Sequence, residues 1–244
     1  MERTKVESNF KIIAMDLDGT LTQHKSPLEL ECRKVLEKLL EKYKLVMVCA
    51  GSCERVYNQL EGFPVDILGC YGMEFSKVVD GEFKLVEKNV VEINKKVVSV
   101  YGELIRKEFG FTEYVGDSVE FHSSGLITFP ILGTKALLED KLKYDPDRKK
   151  RKMYFPRVCE IFEGYNVFIG GTSSFDIAPK PYNKLYALDK YLKLYNYERK
   201  DVVFFGDDYG AGGNDNDVFE SDIKFIKIDD YRKFPEIAGK LLLL

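Results

Sequence analysis

The chain has 244 residues, 45% of them apolar, with 37 basic against 40 acidic side chains and a formal net charge of −3. That size supports one large domain or two small ones, and the near-neutral balance gives no field that would recruit nucleic acid or an anionic membrane. The apolar runs are strand-sized, residues 1–10 are polar, and the five cysteines form no CxxC pair, so a reduced, cytoplasmic protein without a membrane span or disulfide framework is expected.

In chain order, the pattern predicts a strand over 11–15, a helix over 28–43, a strand over 45–49, a helix over 53–60 and a strand over 65–70. In the first helix Leu28, Leu30, Val35, Leu36, Leu39 and Leu40 recur at helical spacing. Strands alternating with helices imply parallel pairing and a sheet covered on both faces. The middle reads differently. A hairpin is expected from 119–122 to 126–131 around Ser123-Ser124-Gly125, and a second strand pair at 166–170 and 174–178. Between them 133–164 reads as helix, broken near Pro146 and Pro156. Its basic run, 148–152, is expected to be a solvated face. The last third repeats the opening pattern: a helix over 182–195, a strand over 202–205, a Gly/Asp-rich loop, a short helix near Val218, a strand over 223–228, and a leucine tail, 241–244, docked on the core. The fold class is therefore α/β, a Rossmann-like parallel-sheet core of 1–87 and 182–244 with an inserted α+β cap at 88–181.

Chemistry concentrates where the strands end. The first strand runs straight into Asp16-Leu17-Asp18-Gly19-Thr20, two carboxylates two residues apart followed by a turn glycine. One carboxylate can attack phosphorus while the other moves a proton. An Asp-x-Asp-Gly segment also opens a calcium loop, but that loop needs a Glu eleven residues after Asp16, where Pro27 stands. The strand over 202–205 ends in Gly206-Asp207-Asp208 and then Gly212-Gly213-Asn214-Asp215, which offers Asp207 and Asp215 as hard ligands for Mg²⁺. Asp208 and Asn216 read as turn residues. Gly51-Ser52 after the second strand suits a phosphate cradle at a helix start, or equally a plain helix cap. Lys184 would be a surface lysine unless a phosphate and carboxylates nearby need a cation.

In this order the segments resemble the haloacid dehalogenase (HAD) superfamily, and within it the eukaryotic-type phosphomannomutases. Ala50-Gly51-Ser52, the Asp80-Gly81 turn, Gly170-Gly171, Ser173-Ser174-Phe175-Asp176, Phe204-Phe205-Gly206-Asp207 and Gly212-Gly213-Asn214-Asp215 carry the likeness. The resemblance implies an aspartyl-phosphate formed on Asp16, with Asp18 as acid/base. It implies Mg²⁺ on Asp16, the Asp18 backbone carbonyl and Asp207, and a phosphoryl group held by Ser52 and Lys184. Ser174 and Asp176 would reach a phosphorylated sugar from the cap, and a homodimer would form through the cap. The sequence departs from that family where three cap arginines are expected: Val115, His122 and Thr134 stand there, with Lys135 beside the last, and Lys25 replaces a core arginine. Arginine's bidentate fork is hard to replace at phosphate. The leading expectation is thus a Mg²⁺-dependent phosphatase of a hexose phosphate, in which His122 meets substrate. A phosphomannomutase is the alternative, and an inactive phosphosugar-binding protein the second alternative.

Overall fold

The computed structural model describes residues 10–243. Most of the polar stretch at the start, 1–9, and the last leucine, Leu244, lie outside the described residues. The chain begins with β1 (Ile12–Met15), α1 (Leu30–Leu40), β2 (Lys44–Val48), α2 (Cys53–Gln59) and β3 (Asp66–Gly69), then adds a hairpin of β4 (Glu74–Val79) and β5 (Glu82–Lys88). It continues through α3 (Lys95–Phe109), β6 (Glu120–Phe121), β7 (Ile127–Pro130), α4 (Leu138–Tyr144), α5 (Lys149–Ile161), β8 (Tyr165–Phe168) and β9 (Ser174–Pro179). It closes with α6 (Lys184–Leu194), β10 (Val202–Gly206), α7 (Asn216–Phe219), β11 (Lys224–Lys227) and α8 (Phe234–Gly239).

These strands form two sheets. The larger has seven strands in the order β11-β10-β1-β2-β3-β4-β5, parallel from β11 to β3 and antiparallel through the hairpin. Period-two alternation divides its core. Ile13, Met15, Met47 and Phe205 pack with α1, α2 and α8, while Ile12, Ala14, Val46 and Phe204 pack with Ala187, Leu188 and Tyr191 of α6. Leu241 joins the first of these clusters, whereas Leu243 is exposed. The smaller sheet is antiparallel, in the order β6-β7-β9-β8, and buries Ile127, Phe129, Phe175 and Ile177 against α3 and α5. The architecture is thus a Rossmann-like core with an inserted α+β cap.

Two sequence expectations are corrected, and one helix was not foreseen. Of the two expected breaks only the one near Pro146 occurs, between α4 and α5, while α5 runs through Pro156 from Lys149 to Ile161. The basic run is not wholly solvated: Arg151 is 1% exposed and pairs with Asp145 at 2.9 Å. Helix α3 was hidden in the sequence, because exposed Val97, Val100 and Leu104 interrupt the buried row of Val98, Gly102 and Ile105.

Candidate active site

The carboxyl ends of β1 and β10 bring the acids together. Asp16 follows β1 directly, and its backbone N–H donates to the Phe205 carbonyl of β10. Gly19 turns the chain at a φ of 101°, and a Cβ there would lie 2.4 Å from Asp207 Oδ2, so only glycine lets this loop touch that carboxylate. Thr20 Oγ1 donates to Asp207 Oδ1 at 2.9 Å. Oxygens of Asp16, Asp207 and Asp215 lie within 4.8 Å of one another.

Lys184 sits among them as the first residue of α6, a helix capped by the Asn183 side chain. A cation at a helix N-terminus opposes the helix dipole. Here two carboxylates offset that cost, since Lys184 Nζ donates to Asp16 Oδ1 at 2.6 Å and to Asp215 Oδ1 at 2.8 Å. Burial works against the Lys184 charge, but Asp16 and Asp215 outweigh it and hold its pKa well above the ordinary value. The acids respond oppositely. Burial, with neighbouring carboxylates adding, pushes Asp16 up to about 7 and Asp207 and Asp215 up to about 6, against the pull of Lys184. One ammonium is thus too little positive charge for three carboxylates, and hard oxygens in this arrangement fit a divalent cation. Asp215 differs from the other two in that both its oxygens are engaged, Oδ1 by Lys184 and Oδ2 by the Asp208 N–H at 3.0 Å.

Asp18 faces elsewhere. Its carboxylate accepts from Arg55 at 3.0 Å, from Gln59 at 2.9 Å and from the Lys25 N–H at 2.7 Å. Burial opposes ionisation there, yet Arg55, Gln59 and the Lys25 amide prevail and lower the pKa. Arg55 and Gln59 are a contribution the sequence reading missed; their spacing on α2 is its only signal. The Lys25 side chain is exposed, and its backbone amide makes the contact. The bridge between Asp18 and Thr22 uses Gly19 N to Thr22 O and Thr22 N to Leu17 O, leaving the Asp18 carbonyl out.

Ser52 caps its helix, and its hydroxyl proton stays free to donate. Its hydroxyl caps α2 by accepting from Arg55 N, and the neighbouring Cys53 N–H is taken by Glu74 Oε2 at 2.9 Å. The Cys53 and Arg55 amides of this helix start are therefore already engaged. At Gly51 a Cβ would meet the Arg55 guanidinium at 2.2 Å, so this glycine makes room for the group that holds Asp18.

On the cap, His122 Nε2 lies 3.0 Å from Thr128 Oγ1, which donates in turn to Asp176 Oδ1 at 3.4 Å. Burial pushes Asp176 up to about 6, against the His122 charge and the Thr128 hydrogen bond. Ser174 spends its hydroxyl on the Gly170 carbonyl at 3.0 Å. Val115 is exposed, and Thr134 Oγ1 accepts from the Asp117 N–H. All four cap arginines are committed elsewhere. Arg106 donates to the Phe111, Ser118, Pro130 and Ile131 carbonyls, Arg151 is paired with Asp145, and Arg157 with Glu108 and Glu160. Arg148 pairs with Asp208, which is therefore no free turn residue.

Cap and core meet over this site. Ile169 N donates to the Gly212 carbonyl at 2.8 Å, Arg148 meets Asp208, and Phe168 stacks on Tyr71 with ring centroids 4.6 Å apart.

Comparison with known proteins follows the same outline. The family model for eukaryotic phosphomannomutase matches residues 32–228. A phosphomannomutase of Encephalitozoon cuniculi is 27% identical over 94% of this chain and 94% of its own. One from Solanum lycopersicum is 29% identical over 86% and 85%. Among solved structures, an N-terminally truncated, IMP-bound Plasmodium falciparum IMP-nucleotidase superposes with a TM-score of 0.75 at 14% identity, covering 97% of this chain and 69% of that one. A haloacid dehalogenase-like hydrolase from Bacteroides thetaiotaomicron gives 0.56 at 19% identity over 95% and 99%. These two likenesses concern the fold. With the family match spanning most of both sheets, the chain belongs to the eukaryotic phosphomannomutase family, and it is a phosphoryl-transfer enzyme of the haloacid dehalogenase superfamily.

Proposed function

We propose that this enzyme moves a phosphoryl group between the 6- and 1-positions of a hexose, as a phosphomannomutase, with 88–181 acting as the cap. The observation that carries this reading is that the phosphomannomutase relatives match core and cap together, nearly end to end. It revises the first expectation, a phosphatase.

Asp16 attacks phosphorus, and the departing sugar oxygen takes a proton from Asp18; in the return step Asp18 takes the proton back from the incoming sugar hydroxyl as that oxygen attacks the aspartyl-phosphate. Asp18 is held ionised by Arg55 and Gln59, so it must leave them, protonated, to serve as acid. Lys184 holds a phosphoryl oxygen while Asp215 holds Lys184. The Asp16 and Asp207 carboxylates with the Asp18 carbonyl would hold Mg²⁺, which supplies positive charge against the phosphoryl oxygens. Asp215, with both oxygens engaged, orients rather than ligates. From the cap, Asp176 and His122 face the sugar, and Lys141, whose Nζ lies 3.2 Å from the Thr134 carbonyl, joins Lys135 as a cation for the distal phosphate. The exposed row of Val97, Val100 and Leu104 on α3 supports a homodimer through the cap.

The phosphatase reading keeps one observation in its favour: no cap arginine among the described residues is available to grip a second phosphate. Incubation with Mg²⁺ and mannose 1-phosphate, with and without a hexose bisphosphate, separates the two. Appearance of the 6-phosphate supports the mutase; free phosphate alone sinks it in favour of the phosphatase.

A further inference from the structure

Asp18 sits in a clamp. Arg55 and Gln59 stand four apart on one face of α2, and each reaches the carboxylate, Arg55 Nη2 to Oδ2 at 3.0 Å and Gln59 Nε2 to Oδ1 at 2.9 Å. The two also hold each other, since Arg55 Nη1 donates to Gln59 Oε1 at 2.8 Å. Gln59 Nε2 is anchored further on Thr22 Oγ1 at 3.0 Å. The remaining contact is the Lys25 N–H, 2.7 Å from Oδ1. Lys25 presents that amide from the left-handed region, at a φ of 57°, a strain that a residue with a side chain bears only where its surroundings fix it.

Three of the carboxylate's roughly four lone-pair positions are thus filled, and Asp18 lies outside the cluster of Asp16, Asp207 and Asp215. The clamp is still within a ligand's reach, for 21% of the Asp18 side chain and 37% of the Arg55 side chain are exposed. Any acceptor of the phosphoryl group makes the same demand on Asp18. The acceptor oxygen attacks phosphorus, the bond from phosphorus to Asp16 breaks with its electron pair staying on the Asp16 carboxylate, and the acceptor's proton passes to Asp18. Asp18 must first turn out of the clamp and lose hydrogen bonds made to its charge. A sugar is gripped through its other hydroxyls and its second phosphate, and that binding energy can drive the turn. A water molecule has no such remote contacts.

We propose that Arg55 and Gln59 decide between sugar and water as acceptor: by holding Asp18 until a sugar draws it out, they protect the aspartyl-phosphate from hydrolysis. This rests on the phosphomannomutase reading above and adds a specificity-determining pair to it.

The test reads the partition between products. Wild type, Arg55→Met and Gln59→Met are incubated with Mg²⁺, mannose 1-phosphate and a hexose bisphosphate. Free phosphate and 6-phosphate are measured in the same sample, so their ratio does not depend on how much of the enzyme is folded. Each variant is expected to raise the ratio of free phosphate to 6-phosphate about ten- to a hundredfold, the scale of one hydrogen bond to a charged group. Labelled phosphoenzyme, made with the bisphosphate and then freed of sugar, should lose its label faster in both variants. An unchanged or lower ratio in either variant overturns the inference. So does loss of both products in both variants, which would make Arg55 and Gln59 necessary for transfer itself rather than restraints on Asp18. Wild type that yields free phosphate and no 6-phosphate fails differently: it brings down the mutase reading, and a clamp that admits water falls with it.

Discussion

Lys184 and Asp215 are paired at 2.8 Å where neither side chain touches solvent. The pair sets the position of the ammonium proposed above to hold a phosphoryl oxygen. Asp215→Asn keeps the shape but loses the charge, leaving Lys184 to Asp16 alone. A fall in kcat of about ten- to a hundredfold is expected, less than the ~10²–10³ typical of removing a donor that touches the transition state, and Lys184→Met should reach that larger range. Steady-state kinetics at saturating sugar phosphate reads both, and equal effects would deny Asp215 its supporting place.

Asp16 and Asp18 are predicted to fail differently. Asp16→Asn should abolish turnover, because Asp18, the other carboxylate of that turn, is held by Arg55 and Gln59; retained activity would refute the assignment of Asp16 as nucleophile. Asp18→Asn should keep the site assembled and lower kcat by ~10²–10⁴, the usual worth of proton transfer. Acid-quench trapping of labelled phosphoenzyme, present in Asp18→Asn and missing in Asp16→Asn, would distinguish the two.

The acidic cluster gives a pH prediction with a definite sign. Asp16 at about 7 and Asp207 and Asp215 at about 6 are all raised by folding. The native state therefore holds protons that the unfolded chain has released. That stability is fully present below the unfolded carboxylate pKa of about 3.9 and is lost as pH rises through the folded values. Metal-free protein should thus lose this contribution between about pH 4 and about pH 7, and Mg²⁺ should raise the melting temperature more at the upper end, where it no longer competes with protons. Calorimetry with EDTA or Mg²⁺ at both pH values checks it; an equal shift at both would place the metal elsewhere.

Arg151 and Asp145 are each 1% exposed and pair inside the cap. Removing one partner strands the other, so Arg151→Ala should cost about 3–5 kcal/mol by urea denaturation. A loss below about 1 kcal/mol, the range of exposed pairs, would show that water reaches the carboxylate.

How much of this could be read from the chain alone depends on the distance over which the signal acts. The gathering of Asp16, Asp207 and Lys184 was legible because strand ends and turn glycines are local features, and because a family pattern joined them. The neighbours that finish the site were not. Arg55 reaches Asp18 across 37 positions, and Arg148 reaches Asp208 across 60; nothing near either residue in sequence announces its partner. Arg151 looked solvated inside a run of five basic residues, since charge patterning cannot show that Asp145 and the Gly170 carbonyl take its guanidinium. The left-handed backbone at Cys70 and Tyr71 has no sequence signal, because handedness leaves no mark on composition.

The chain passes between the two sheets twice, over 89–94 and again over 180–183. Two covalent pins leave a rigid body one easy swing, about the line joining them. Parting Phe168 from Tyr71 must in the same movement part Ile169 from Gly212 and Arg148 from Asp208. Opening is then a single event with a single barrier, and relaxation dispersion at residues in all three contacts should report one exchange rate.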